Sequence, residues 1–102
     1  MIGRTVITCS TMLLLATVVG CSDYRGLSPQ AYQYAKALYN ATNRERIEKV
    51  AVVNDLISTS EQNGTITGEE AKWLREIIED SRKGNWKMAQ QTARQMMRDQ
   101  VR

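Results

Sequence analysis

Histidine is absent from this chain, proline occurs once and cysteine twice. The missing imidazole removes the commonest general base and a favoured metal ligand. Both thiols, Cys9 and Cys21, lie near the N-terminus, so no disulfide framework staples the remainder. Serines and threonines are present without an identifiable base, and no glycine-rich phosphate loop occurs. Glu69, Glu70, Glu76, Glu79 and Asp80 offer carboxylates of the kind a glycosidase pairs, but acids along a helix side are read here as solvating it. A non-enzymatic protein without a cofactor is expected. Neither sign of charge dominates: 14 Lys and Arg face 11 Asp and Glu, too small an excess to imply a nucleic-acid partner. Long apolar runs are limited to residues 6–19, which Thr8, Ser10, Thr11 and Thr17 interrupt. As a helix that stretch spans roughly 21 Å against a hydrocarbon core of about 30 Å, too short for a comfortable membrane span.

What is present begins with that stretch. Arg4 precedes it, Leu13-Leu14-Leu15-Ala16-Thr17-Val18-Val19-Gly20-Cys21 closes it, and the chain turns polar at Ser22-Asp23-Tyr24-Arg25-Gly26. A basic start, an apolar run and a small residue mark a secretory leader; an ordinary cleaved leader or an uncleaved short anchor would share those features. Here a cysteine follows the small residue, and Val18-Val19-Gly20-Cys21 resembles the lipobox of bacterial lipoprotein signal peptides. The resemblance covers only about the first twenty residues. It implies that residues 1–20 are removed and that Cys21 carries a diacylglycerol and an N-acyl chain of palmitate type. Cys9 would leave with the leader.

Cleavage would leave a tether at residues 21–27 and one small domain at 28–102, near the size where a single core is only just sufficient. Its pattern is helical throughout. Ser28-Pro29 supplies a capping side chain and a pre-set first turn. Tyr32, Ala35, Leu38 and Tyr39 then recur at helical spacing. Thr42-Asn43-Arg44-Glu45 has the form of a capping box, marking a second helix start or a kink, so residues 29–60 form two helices or one. Ile47, Val50, Val53 and Ile57 make the next stripe, and Val52 with Leu56 broadens it, as if this helix were buried on more than one side. Residues 58–64 read as a polar loop. Thr67-Gly68-Glu69-Glu70 is another capping box, opening a helix with Ala71, Trp73, Leu74, Ile77 and Ile78 inward. Gly84 suits a left-handed cap, and Asn85 an N-cap for a helix facing inward through Ala89, Ala93, Met96 and Met97. The expected fold is all-α, a small bundle of three to four helices ending in an antiparallel helical hairpin. Residues 61–80 hold six acids and two cations, and residues 81–102 six cations and one acid, so these two segments should attract.

Three local patterns suggest binding. Residues 59–70 resemble a degenerate EF-hand loop, with Gly64 at the sharp turn and Glu61, Asn63, Thr67 and Glu70 on ligand positions. Thr59 stands where an aspartate is expected, and two carboxylates are few for calcium. Arg82-Lys83-Gly84-Asn85-Trp86-Lys87-Met88-Ala89 resembles the turn of a tetratricopeptide hairpin, although Glu76, Ile77 and Asp80 depart from that pattern and the chain has room for two repeats at most. Tyr24 and Tyr34 offer aromatic interface candidates, with core packing as the plainer reading of the tyrosines. Lys83, Lys87, Arg94, Arg98 and Arg102 make the last helix basic.

The function these features imply is a lipid-anchored helical interaction module, held close to a bacterial membrane by a short tether and binding an envelope protein as an accessory, an inhibitor or a phage-encoded exclusion factor. In a Gram-negative host, Ser22 after the acylated cysteine resembles the outer-membrane sorting signal, facing the periplasm. The alternative is a binder of anionic lipid or cell-wall polymer through the basic last helix. A weak calcium-responsive loop is the third reading.

Overall fold

A computed structural model describes Tyr24 and residues 26–100; Cys9, Cys21 and Arg102 lie outside the described residues. Four helices follow one another: α1 (Pro29–Asn43), α2 (Ile47–Asn63), α3 (Gly68–Arg82) and α4 (Trp86–Arg98). Each packs against its neighbour in sequence, α4 closes onto α1, and α1 also touches α3, whereas α2 and α4 do not meet. The result is the expected all-α bundle, without a strand among the described residues. No described helix is long and apolar enough to cross a membrane.

Helix α1 begins as its sequence demands. Ser28 Oγ accepts from the Ala31 amide at 3.2 Å, and Pro29 fills the first turn. Ala31, Tyr34, Ala35, Leu38 and Ala41 are buried at helical spacing. Tyr34, at 8% exposure, therefore belongs to the core and not to an outer interface, while Tyr32 and Tyr39 are half-buried. The Tyr34 hydroxyl lies 2.5 Å from Ser60 Oγ, which satisfies two buried polar groups at once.

The break after α1 is made differently from expectation. Thr42 is not an N-cap; its hydroxyl donates to the Tyr39 carbonyl at 3.0 Å. Instead, the Arg46 amide bonds the Ala41 carbonyl at 2.9 Å and the Glu45 amide bonds Thr42 at 3.1 Å, with Glu45 left-handed at φ +51°. These bonds form a Schellman closure with glutamate in the usual glycine place. The same pair of bonds ends α2, from Thr65 to Ser60 and Gly64 to Glu61, and ends α3, from Asn85 to Asp80 and Gly84 to Ser81. Gly64 and Gly84 take the left-handed position there, at φ +80° and +81°. Asn85 stands at the N-cap of α4 without a side-chain capping bond.

Helix α2 extends through the expected polar loop, because nothing in residues 58–63 stops a helix until Gly64 does. It is buried on one side only, through Val50, Val53, Ile57 and Ser60. Ile47, Val52 and Leu56 are 45%, 56% and 47% exposed, contrary to the expectation of burial on more than one side. The cause is architectural, since α4 docks on α1 and α3 and leaves the outer side of α2 bare.

Helix α3 opens with the expected box: the Glu70 amide donates to Thr67 Oγ1 at 3.0 Å, and the Thr67 amide to Glu70 Oε1 at 2.9 Å. Glu70 is buried and also accepts from the Ser28 amide at 2.7 Å and the Ser28 hydroxyl at 3.1 Å, tying the starts of α1 and α3 together. Ala71, Leu74, Ile77 and Ile78 meet Ala89, Ala93 and Met96 of α4 in one core, with Trp73 and Met97 at its edge. The attraction expected between the acidic and basic segments is not expressed as contacts. Among the described residues, the ion pairs are Arg46–Glu48, Arg75–Glu61 and Arg82–Glu79, and none joins α3 to α4.

Candidate interaction surface

The bare side of α2 adjoins a groove between α1 and α2. Its floor is aliphatic, built from Ala37 and Ala41 of α1 with Val52 and Val53 of α2, and its volume is about 470 Å³. Leu56 follows Val52 by one helical turn and prolongs the apolar side. Arg44, Arg46 and Lys49 rim one end, because the short turn between the helices and the first turn of α2 carry three cations within six positions. The Arg46 Nε donates to Glu48 at 2.5 Å, and that bond is the main cause that holds the Glu48 carboxyl below its usual range. Arg46 is thereby partly neutralised, which leaves Arg44 and Lys49 as the groove's stronger charges. The lining provides cations, the Asn40 amide and aliphatic carbon.

A larger depression of about 630 Å³ crosses the outer side of α3, but three cations, Lys72, Arg75 and Lys83, and three acids, Glu76, Glu79 and Asp80, line it. It has the character of a solvated helix face.

The residues of the calcium-like loop do not converge. Asn63 and Glu61 lie inside α2, so the first half of the loop is helical. Glu61 pairs with Arg75 at 2.9 Å, while Thr67 and Glu70 are engaged with each other in the capping box. Among the described residues, no group of three or more acids is placed to hold a metal ion. Cys21 lies outside the described residues. Tyr24 packs edge-on against Trp73, with centroids 5.2 Å apart and planes at 86°.

Lys83, Lys87, Arg94 and Arg98 are all exposed. Lys87, Arg94 and Arg98, spaced seven and four apart, share one side of α4, while Lys83 caps the end of α3 in the turn before it. Met88, 56% exposed, stands beside this stripe.

Two features had no clear signal in the sequence. Val52 and Leu56 read as core until the stripe 50, 53, 57, 60 is seen to be complete without them. Asp99 and Gln100, described below as a clip, act on residues more than seventy positions away. Comparison with protein-family models, with curated proteins and with solved structures finds no match to this chain.

Proposed function

We propose that the protein is a lipid-anchored, non-enzymatic helical module that binds a protein partner beside a bacterial membrane. Cys21, bearing diacylglycerol and an N-acyl chain, is the anchor, and in a Gram-negative host the outer membrane facing the periplasm is its place. The observation that carries the partner reading is the exposed Val52–Leu56 side of α2 next to the cation-rimmed groove. Apolar side chains left open on an otherwise well-packed small domain are a docking feature, and Arg44 with Lys49 favours a partner segment that brings acidic groups to the groove end. In-cell crosslinking with mass spectrometry of wild type beside Val52→Glu with Leu56→Glu tests this. A partner crosslinked to wild type and lost from the variant is expected, with helicity unchanged. Recovery no greater than that of an unrelated lipoprotein would overturn it.

A second reading rests on the aligned cations of α4, which suit an anionic lipid or cell-wall polymer. Binding of the Cys21→Ser chain to anionic vesicles that disappears in high salt is its expected signature.

A further inference from the structure

The N-terminal segment is not a free leash. The Tyr24 amide donates to Asp99 Oδ2 at 3.0 Å, and the Gly26 and Leu27 amides both donate to Gln100 Oε1 at 3.1 Å. Gln100 Nε2 returns a bond to the Tyr24 carbonyl at 2.5 Å and another to Met96 at 3.0 Å, which holds the amide plane in place. Tyr24 also stacks edge-on to Trp73, and Leu27 packs against the core. Four backbone groups of Tyr24, Gly26 and Leu27 are thus satisfied by two side chains just past the end of α4. A free tether from Cys21 to the start of α1 would reach roughly 20–25 Å. With Tyr24 clipped, only Ser22 and Asp23 remain, and the reach falls to about 10 Å.

We infer that Asp99 and Gln100 act as a clip that orients the domain on its membrane. The bundle end carrying the clip, the starts of α1 and α3 and the α2–α3 turn is the surface that faces the lipid headgroups. This inference rests on the proposed acylation of Cys21. Arg44 and Lys49 lie at the other end of α1, about 22 Å away along the helix axis, so the α1–α2 groove is presented away from the bilayer. Membrane attachment then exposes the groove to a protein segment instead of covering it with lipid. Asp99 and Gln100 are positioning residues here, since they act through the backbone of Tyr24, Gly26 and Leu27.

The test uses the mature lipoprotein in vesicles that contain a headgroup-level quencher. A fluorophore is attached at Thr65→Cys, on the turn at the clipped end, or at Glu48→Cys, at the groove end; both positions are exposed. Quenching several-fold stronger at position 65 than at 48 is expected. The ratio should fall toward one in Asp99→Ala with Gln100→Ala, and also when a flexible Gly–Ser stretch is inserted between Asp23 and Tyr24, which leaves the clip residues intact. Circular dichroism of each variant reports whether the bundle is retained. Equal quenching at the two positions, or a difference that survives both changes in a folded protein, overturns the clip. The mass of the same sample separates the two proposals: unmodified Cys21 removes the anchor and this orientation together, whereas acylated Cys21 with equal quenching removes the orientation alone.

Discussion

Glu45 occupies a backbone conformation that costs a non-glycine residue free energy, and its two hydrogen-bonded neighbours show why it must. The same closure uses glycine at 64 and 84, so Glu45 is the one member of the set that carries a side chain there. Glu45→Gly should stabilise the domain by about 0.5–1 kcal/mol, the strain relieved less the added freedom of the unfolded chain. Chemical denaturation read by circular dichroism measures it; a loss of stability would mean that the Glu45 side chain has a role its surroundings do not reveal. Glu70 is the opposite case. One buried carboxylate accepts from Thr67 and twice from Ser28, so it caps α3 and holds α1 to it. Glu70→Ala should cost about 2–4 kcal/mol, against about 1 kcal/mol for Thr67→Ala, which removes a single cap bond. Equal losses in the two variants would show that the tie to Ser28 contributes nothing.

Three helix boundaries were legible because a glycine or a capping side chain marked them. Ser28-Pro29, Thr67 with Glu70, and Gly84 set them by local chemistry, and those boundaries stand where the sequence placed them. The α1–α2 break has no such mark, because Thr42 and Glu45 mimic a start signal while serving as the carbonyl acceptor and left-handed residue of a stop. The polar run before Gly64 misled for a related reason: polarity there reflects an exposed helix side, not an absent helix. Which side of α2 faces out depends on where α4 docks, and that is a tertiary choice no local pattern contains. A direct check contrasts two neighbours. Leu56→Lys should change stability by no more than about 0.5 kcal/mol, whereas Ile57→Ala, fully buried one position on, should cost about 2–4 kcal/mol. Comparable losses at both positions would place α2 in a different rotation from the one described. The candidate groove was invisible for the same reason, since its walls come from two helices whose separation the sequence left undecided.

Charge is segregated along the chain, with residues 61–80 acidic and residues 81–102 basic, yet no ion pair joins α3 to α4 among the described residues. The attraction is therefore diffuse and readily screened, and the apolar core carries the association. Raising the salt from low concentration to about 1 M should lower stability by less than about 1 kcal/mol. The basic stripe of α4 then matters for what lies outside the molecule, and the clip limits how. In the proposed orientation, with the clipped end toward the headgroups, Arg98 would sit low, Lys87 about 16 Å higher along the helix, and Lys83 beyond it. That height is about twice the Debye length of about 8 Å at physiological ionic strength, so the upper two cations gain little from an anionic bilayer. An amine-reactive reagent should accordingly modify Lys83 and Lys87 of the Cys21-acylated form as fast on anionic vesicles as on neutral ones, read by peptide mass. Protection of both lysines on anionic vesicles alone would mean that α4 lies along the bilayer, and the lipid-binding reading of the basic helix would then displace the partner-binding one.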